Sequence, residues 1–272
     1  MADKLIPEQR RRALVEILEA EGVVRLDELA RRLAVSVMTV RRDVAALAEQ
    51  GSVVGVTGGV KLVATRPPIE RTERVGWQRE AKRAIARVAA ARIPDGATIF
   101  LDAGTTCQLM AEQVATRRGL TVVTNDLLTA VQLLPARGIE LIHLGGEVDP
   151  ISGSTAGAAA ERALRHLSLD WCFLSAGTWS IEHGVTSAVE AKAELKRAAV
   201  EVADAVALVA DSSKFGLSAT YRVAGLAQLD VVITDDRLEP AARRALAQLP
   251  VEAVLVPAPR HRADQPLAPT AP

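Results

Sequence analysis

With 272 residues, the chain is long enough for one large core and a smaller second domain. Its 33 Lys and Arg balance 33 Asp and Glu, and only 3% of its residues are aromatic, which excludes both a uniformly basic nucleic-acid coat and a stacking platform for single strands. No apolar run is long enough to span a bilayer, and Met1-Ala2-Asp3-Lys4 leads into a charged helix without a secretory apolar stretch, so a cytoplasmic protein with no membrane partner is expected.

Residues 8–20 form the first predicted helix, with Leu14, Ile17 and Leu18 as its packing face and Gly22 placed to end it. Residues 26–33 repeat apolar side chains at helical spacing and are followed by the short connection Ala34-Val35. Ser36 then opens a helix in which Val40, Val44 and Leu47 recur at i, i+4 and i+7 and must face inward. Val37, Met38, Thr39, Arg41 and Arg42 are left toward the outside. Two helices joined by so tight a turn predict a helix-turn-helix. After Gly51, the run Val53, Val54, Val56, the turn Thr57-Gly58-Gly59 and the run Val60-Lys61-Leu62-Val63 predict a β-hairpin, or wing.

The plainer alternative is a small helical bundle whose arginines merely solvate a surface. Three helices followed by a Gly-Gly hairpin, in that order, favour a reader of double-stranded DNA. Its contacts are assigned to Ser36, Val37, Met38, Thr39, Arg41, Arg42, Thr57, Gly58 and Lys61. The first 66 residues carry eleven basic against nine acidic side chains, so binding rests on where charge is placed and not on its total.

Residues 64–76 contain Pro67-Pro68 and mixed charges and read as a linker between an N-terminal domain, 1–63, and a larger one, 77–256. From a predicted helix over 78–92 onward, short apolar strands (97–101, 120–124, 139–144, 170–176, 205–210, 229–234, 251–256) alternate with helices (105–116, 126–134, 158–167, 189–203, 239–249). This alternation predicts a mainly parallel sheet covered on both faces. The tail from 257 to 272 is rich in Pro, Ala and Arg without apolar periodicity and is predicted to be disordered.

Ligands of open α/β sheets bind beyond the carboxyl ends of the strands, where this chain puts its polar and glycine-rich loops. Asp102-Ala103-Gly104-Thr105-Thr106 follows a strand and opens a helix, so amides and hydroxyls can converge on an anion. Thr124-Asn125-Asp126, Gly145-Gly146-Glu147 and Ser175-Ala176-Gly177-Thr178 end further strands. Gly153-Ser154-Thr155-Ala156-Gly157 precedes a helix as a candidate second anion nest. Asp211-Ser212-Ser213-Lys214 follows another strand, with Lys196 on the helix before it. Each loop alone is explained by tight turns. Together they fit a phosphorylated polyol or sugar, with amides and lysines for phosphate and Asp102, Asn125 and Asp211 for hydroxyls. The effector set is Asp102, Gly104, Thr105, Thr106, Thr124, Asn125, Gly145, Gly146, Lys196, Asp211 and Lys214. Neither a Gly-x-Gly-x-x-Gly nor a Gly-Lys-Ser/Thr phosphate loop occurs in the right context, so no nucleotide cofactor is implied. Cys107 and Cys172 lack the spacing of a zinc site or disulfide framework and read as packing residues, and His143, His166, His183 and His261 are scattered.

Val35-Ser36 with Thr39-Val40-Arg41-Arg42-Asp43-Val44, Gly58-Gly59, Asp102-Ala103-Gly104-Thr105-Thr106, Thr124-Asn125, Gly145-Gly146, Leu195-Lys196-Arg197 and Asp211-Ser212-Ser213-Lys214-Phe215-Gly216 together closely resemble the DeoR family of bacterial transcriptional repressors. The resemblance implies an α/β protein: an N-terminal winged helix-turn-helix followed by a sensor domain similar to ribose-5-phosphate isomerase and CoA-transferase folds. It also implies repression of sugar-catabolic genes, relieved when a phosphorylated sugar binds. A single reading head makes a small interface, so useful specificity calls for at least a dimer on repeated half-sites, and a homodimer or homotetramer assembled by the sensor domain is expected. Two departures stand out. Val54-Gly55-Val56-Thr57 replaces the arginine and histidine common before the wing's glycines, and Arg25 stands where a serine or threonine often caps the second helix. The competing class is a sugar-phosphate isomerase or acyl-CoA transferase with Asp102, Glu147, Glu190, Glu194 or Asp211 as base. Nothing in their spacing sets a base and an acid on one substrate atom, and fold likeness does not establish chemistry. A metabolite-binding adaptor without nucleic acid would require Arg41 and Arg42 to be dispensable.

Overall fold

Apolar residues at helical spacing bring the first helices together. In the computed structural model, α1 (Pro7–Glu21), α2 (Leu26–Arg32) and α3 (Val37–Glu49) bury Leu14, Leu18, Leu29, Leu33, Val40 and Leu47 against one another. The structure describes residues 6–21, 23–49, 53–56, 59–62, 71 and 76–258, and the chain divides into two units, Met1–Ile69 and Glu70–Pro272. Gly22, Gly51, Thr57, Gly58, Val63, most of the predicted linker and residues 259–272 of the predicted tail lie outside the described residues.

In the first unit the turn between α2 and α3 is made by Ala34 in the left-handed region (φ 52°), with the Val35 amide donating back to the Ala30 carbonyl. The hairpin consists of β2 (Val53–Val56) and β3 (Gly59–Leu62), paired antiparallel. A short strand that the sequence reading did not foresee, β1 (Val23–Val24), completes a three-stranded sheet in the order β1-β3-β2. Gly59 is required by this third strand, because a Cβ there would lie 2.4 Å from the Val24 carbonyl oxygen.

The second unit opens with α4 (Arg79–Ala90) and is built on a seven-stranded sheet. Its strands are β4 (Thr98–Leu101), β5 (Leu120–Thr124), β6 (Ile139–His143), β9 (Leu169–Leu174), β12 (Ala203–Val209), β14 (Val231–Asp235) and β15 (Glu252–Val256). All of its pairings are parallel. Strand alternation divides the core in two. Ile99, Leu101, Phe173, Val231 and Ile233 face α4 and α5 (Thr105–Val114), while Phe100, Cys172, Leu174 and Val232 face α7 (Ala158–Arg165), α8 (Glu190–Glu201) and α9 (Pro240–Leu246).

Two features of this unit depart from the expected simple alternation. Residues 154–156, read as part of an anion nest, form β8 (Ser154–Ala156), which pairs antiparallel with β7 (Glu147–Asp149) as a hairpin. A further antiparallel sheet joins β10 (Thr178–Ser180), β11 (Gly184–Ser187) and β13 (Tyr221–Ala224). Strands of three or four residues are too short to show a period of two, and the glycines at 153 and 157 mark the bounds of β8 as readily as they would mark a loop.

The strand order β15-β14-β12-β9-β4-β5-β6 fixes where a ligand can sit. From β4 the chain proceeds outward through β5 to β6, then returns to the other side of β4 and proceeds through β9, β12 and β14 to β15. The direction of winding reverses between β4 and β9, and such a reversal opens a crevice beyond the strand ends.

Candidate functional site

The first candidate surface is the outer face of α3. The Ser36 hydroxyl accepts the Thr39 amide at 3.1 Å and lies 2.9 Å from the Thr39 hydroxyl, so these two residues form the helix cap. Val40 is fully buried, whereas Val37, Met38, Arg41 and Arg42 are exposed, Met38 to 65%. The face therefore carries two guanidinium groups and two apolar side chains, a set able to meet guanine acceptors and thymine methyl groups. Lys61 lies in β3 opposite Val54 and Val23. Arg25 precedes α2 without a capping hydrogen bond and instead donates to Asp27 at 3.0 Å.

Asp43, which lies within the run that marks α3, has a role the sequence reading missed. It is 4% exposed and receives both Nε (2.5 Å) and a terminal nitrogen (3.0 Å) of Arg10, which locks α1 to α3. No local signal reveals this, because the partner is 33 residues away.

The second candidate site lies at the reversal between β4 and β9. Asp102, at the end of β4, is 2% exposed, and its Oδ2 accepts the Ser175 amide and hydroxyl, each at 2.9 Å, and the Lys196 ammonium. Lys196 projects from α8 and also donates to the Ser175 carbonyl at 2.9 Å. A carboxylate, a hydroxyl and an ammonium thus bridge the crevice, with Gly104 and the first turn of α5 beside them. A Cβ on Gly104 would fall 2.6 Å from the Ser175 side chain, so glycine is needed there for close approach. Thr105 is half-buried and Thr106 buried at the start of α5, where unsatisfied first-turn amides favour an anion.

Thr124 and Asn125 are brought to the same place, but their side chains hold the loops. The Thr124 hydroxyl donates to the Leu101 carbonyl at 2.7 Å. The Asn125 amide accepts from Ala103 N and donates to the Thr155 carbonyl, both at 2.9 Å. Gly145 and Gly146 follow β6 with φ of 66° and 106°, and a Cβ on Gly146 would lie 2.5 Å from the Ala156 carbonyl oxygen. His143 accepts the Gly145 amide through Nδ1, and burial lowers its pKa below the ordinary histidine value.

On the other side of the crevice, Asp211 is 1% exposed and caps the short 3-10 turn Ser212–Lys214, accepting the Ser213 amide at 3.2 Å. The Lys214 ammonium lies 4.7 Å from the centre of the Trp77 ring. These loops end neighbouring strands spaced about 4.8 Å apart, so the distance from β5 to β12 is roughly 15 Å, within reach of a small ligand and flexible lysines.

Two further ion pairs adjoin this arrangement. Arg71, from the segment read as linker, is 6% exposed and grips Asp126 with two hydrogen bonds of 2.9 and 2.7 Å, while also donating to the Ser152 carbonyl and Gln108. Asp126 caps α6 (Leu127–Leu133). Lys192, one turn before Lys196, bonds Asp149 and Ser152 of the β7–β8 hairpin. Burial pushes the Asp149 carboxyl up, but the bonds and charge of Lys192 and the Ser152 hydroxyl outweigh it and bring it down to about 2. Cys107 and Cys172 are fully buried, and burial pushes both thiols well above their ordinary range, in keeping with packing. Among the described residues no three His, Cys, Asp or Glu side chains converge as metal ligands, and no helix is long and apolar enough to cross a membrane.

Residues 10–66 match the DeoR-like helix-turn-helix domain, and residues 77–236 match the DeoR C-terminal sensor domain. An uncharacterized HTH-type transcriptional regulator of Escherichia coli K12, YgbI, is 38% identical over 90% of this chain and 96% of its own length. A second from Haemophilus influenzae is 36% identical over 94% of this chain and 100% of its own. The glycerol-3-phosphate regulon repressor of E. coli K12 is 32% identical over 84% of this chain and 90% of its own. Among solved structures, ribose 5-phosphate isomerase A of Methanocaldococcus jannaschii aligns with a TM-score of 0.39 and 14% identity over 51% of this chain and 55% of that one, a likeness too weak to carry chemistry. These curated relatives are named as regulators and repressors, not as enzymes. The chain belongs to the DeoR family of helix-turn-helix transcriptional regulators.

Proposed function

We propose that this protein represses carbohydrate-catabolic genes by binding an operator as a homo-oligomer through α3 and the wing, and that a phosphorylated sugar relieves the repression. The observation that carries the reading is the Asp102-Ser175-Lys196 junction at the reversal between β4 and β9, beside the first turn of α5. In this reading the phosphate is held by the amides of Gly104, Thr105 and Thr106 with Lys196 and Lys214, and sugar hydroxyls meet Asp102 and Asp211. Thr124, Asn125, Gly145 and Gly146 shape the surrounding loops. A phosphate that draws Lys196 away from Asp102 changes how α8 is tied to the end of β4. The ligand shifts DNA binding only to the extent that it prefers one of two such arrangements.

The test is a thermal-shift screen of phosphorylated sugars run beside operator binding. A selective ligand raises the melting temperature by mass action and lowers operator affinity. If no phosphorylated sugar does either, or if one is turned over, the reading is wrong.

A further inference from the structure

Arg71 follows closely on Ile69, where the reading-head unit ends, and is bonded to three pieces on one bank of the crevice. Its guanidinium forks onto Asp126 and reaches the Ser152 carbonyl of the β7–β8 hairpin at 2.9 Å and the Gln108 side-chain oxygen on α5 at 2.8 Å. The Gln108 amide in turn donates to the Gly104 carbonyl at 2.9 Å, so Arg71 is bonded one helical turn away from the amides assigned to phosphate. Asn125, next to Asp126, holds the Ala103 amide. One buried side chain thus ties together α5, the end of β5 and the hairpin. Stability gives little reason for it, because a buried ion pair gains little over apolar packing of the same volume. The Arg71 Nε is moreover buried with no acceptor among the described residues.

The chain is moored again a few residues later, on the opposite bank. Trp77 lies 4.7 Å from the Lys214 ammonium in the loop after β12, and Gln78 accepts from Arg237, which is bonded to Asp235 at the end of β14. Asp235 also accepts the Ser212 amide at 2.7 Å. Gln78 takes a φ of 53°, a left-handed conformation unfavourable for a residue with a side chain. From 71 to 77 the backbone reaches at most roughly 20 Å, while the ends of β5 and β12 stand roughly 15 Å apart across β4 and β9, so the crevice cannot widen far without loosening a mooring.

We propose that Arg71 is a positioning residue of the effector site and that, through Gln108, it converts occupancy of that site into a change in the segment leading to the reading head, an inference that rests on the effector reading given above. A phosphate on the amides of Gly104, Thr105 and Thr106 bears on the first turn of α5, where the Gly104 carbonyl holds Gln108 and Gln108 holds Arg71. The same phosphate draws Lys214 away from Trp77. Both moorings then differ between the free and the occupied site, and the reading head is joined to the sensor unit through the backbone that precedes them. Coupling of this kind needs an element with two arrangements that both sites bias. The branched bonds of Arg71 supply it: the fork on Asp126 persists in both states, and the bond to Gln108 in one.

Gln108→Ala tests this in the full chain, because it removes the bond to α5 and leaves the buried pair with Asp126 in place. A DNA duplex recovered by the wild type from a randomised pool serves as operator, and ribose 5-phosphate, fructose 6-phosphate, erythrose 4-phosphate and inorganic phosphate are the probes. A probe that raises the wild-type melting temperature should weaken duplex binding by the wild type about tenfold or more. In Gln108→Ala the probe alone and the duplex alone should each bind within about twofold of wild type, while the probe's effect on duplex binding falls to about twofold or less. A merely structural bond would lower the melting temperature and leave that effect intact. A wild-type effect in Gln108→Ala overturns the inference, and so does a loss of probe binding, which would make Gln108 a direct contact. Hydrogen exchange supplies an arm that needs no probe. In Arg71→Lys, which keeps the charge without the fork, the amides of Ala103 and Leu128 should exchange at least about tenfold faster than in the wild type, with the strands of the central sheet unaffected. Unchanged exchange, or exchange raised evenly across the sheet, overturns the positioning role. If no probe binds the wild type, the effector reading and the coupling fall together, and the exchange arm still decides whether Arg71 holds these loops.

Discussion

Arg71 and Asp126 form a two-pronged ion pair across 55 residues of sequence, with the guanidinium 6% exposed and the carboxylate fully buried. The pair connects the beginning of the second unit to the cap of α6, and through the Ser152 carbonyl to the β7–β8 hairpin. Removing one partner leaves the other charged and buried, so Arg71→Gln should destabilise the protein by roughly 3–5 kcal/mol in denaturant unfolding. A loss below about 1 kcal/mol would show that the pair is solvated in solution.

The exposed arginines of α3 predict the behaviour of the DNA-reading head. Arg41→Ala should cost roughly 1–3 kcal/mol of operator binding, with relaxed sequence preference if the side chain meets a guanine edge and a uniform loss if it meets a phosphate. A folded Arg41→Ala, Arg42→Ala double variant with full operator affinity would remove α3 from the interface.

Lys214 rests over the Trp77 ring. A phosphate that recruits it should move the ammonium off the ring and change the Trp77 emission. Lys214→Ala is then expected to keep operator affinity while losing the response to the sugar phosphate found in the thermal-shift screen. An unchanged half-effective concentration in Lys214→Ala would take this lysine out of the site.

Two groups predict how stability falls with acid. Asp149 is held at about 2, below its ordinary carboxylate value, so its contribution is complete above about 3.9 and is lost as pH falls toward 2. His143 is lowered by burial, so its neutral form is favoured in the folded chain. Its contribution is complete above about 6.5 and is lost as pH falls through the lower folded value. Unfolding midpoints measured from pH 8 to pH 5 should therefore fall less in His143→Gln than in the wild type, and equal slopes would contradict the assignment.

The sequence by itself determined the helix-turn-helix and the alternating strands and helices of the larger unit. These follow from local regularities: the spacing of Val40, Val44 and Leu47, the cap at Ser36, and apolar runs that end in glycine or aspartate. It also put Asp102, Gly104 and Lys214 in the loops that follow strands, because loop chemistry is visible residue by residue, and Lys196 on the helix over 189–203. The tertiary structure alone decided which strand ends meet. The winding reversal between β4 and β9 depends on strand order, which no local pattern encodes, and it is this order that sets Ser175 against Asp102. The same reason hides the pairs Arg10–Asp43 and Arg71–Asp126, in which each charge reads as an ordinary solvated one until the fold brings its partner from 33 or 55 residues away. Burial then changes what a residue is for: Asn125, a plausible ligand for a hydroxyl in sequence, spends both ends of its amide joining Ala103 to Thr155.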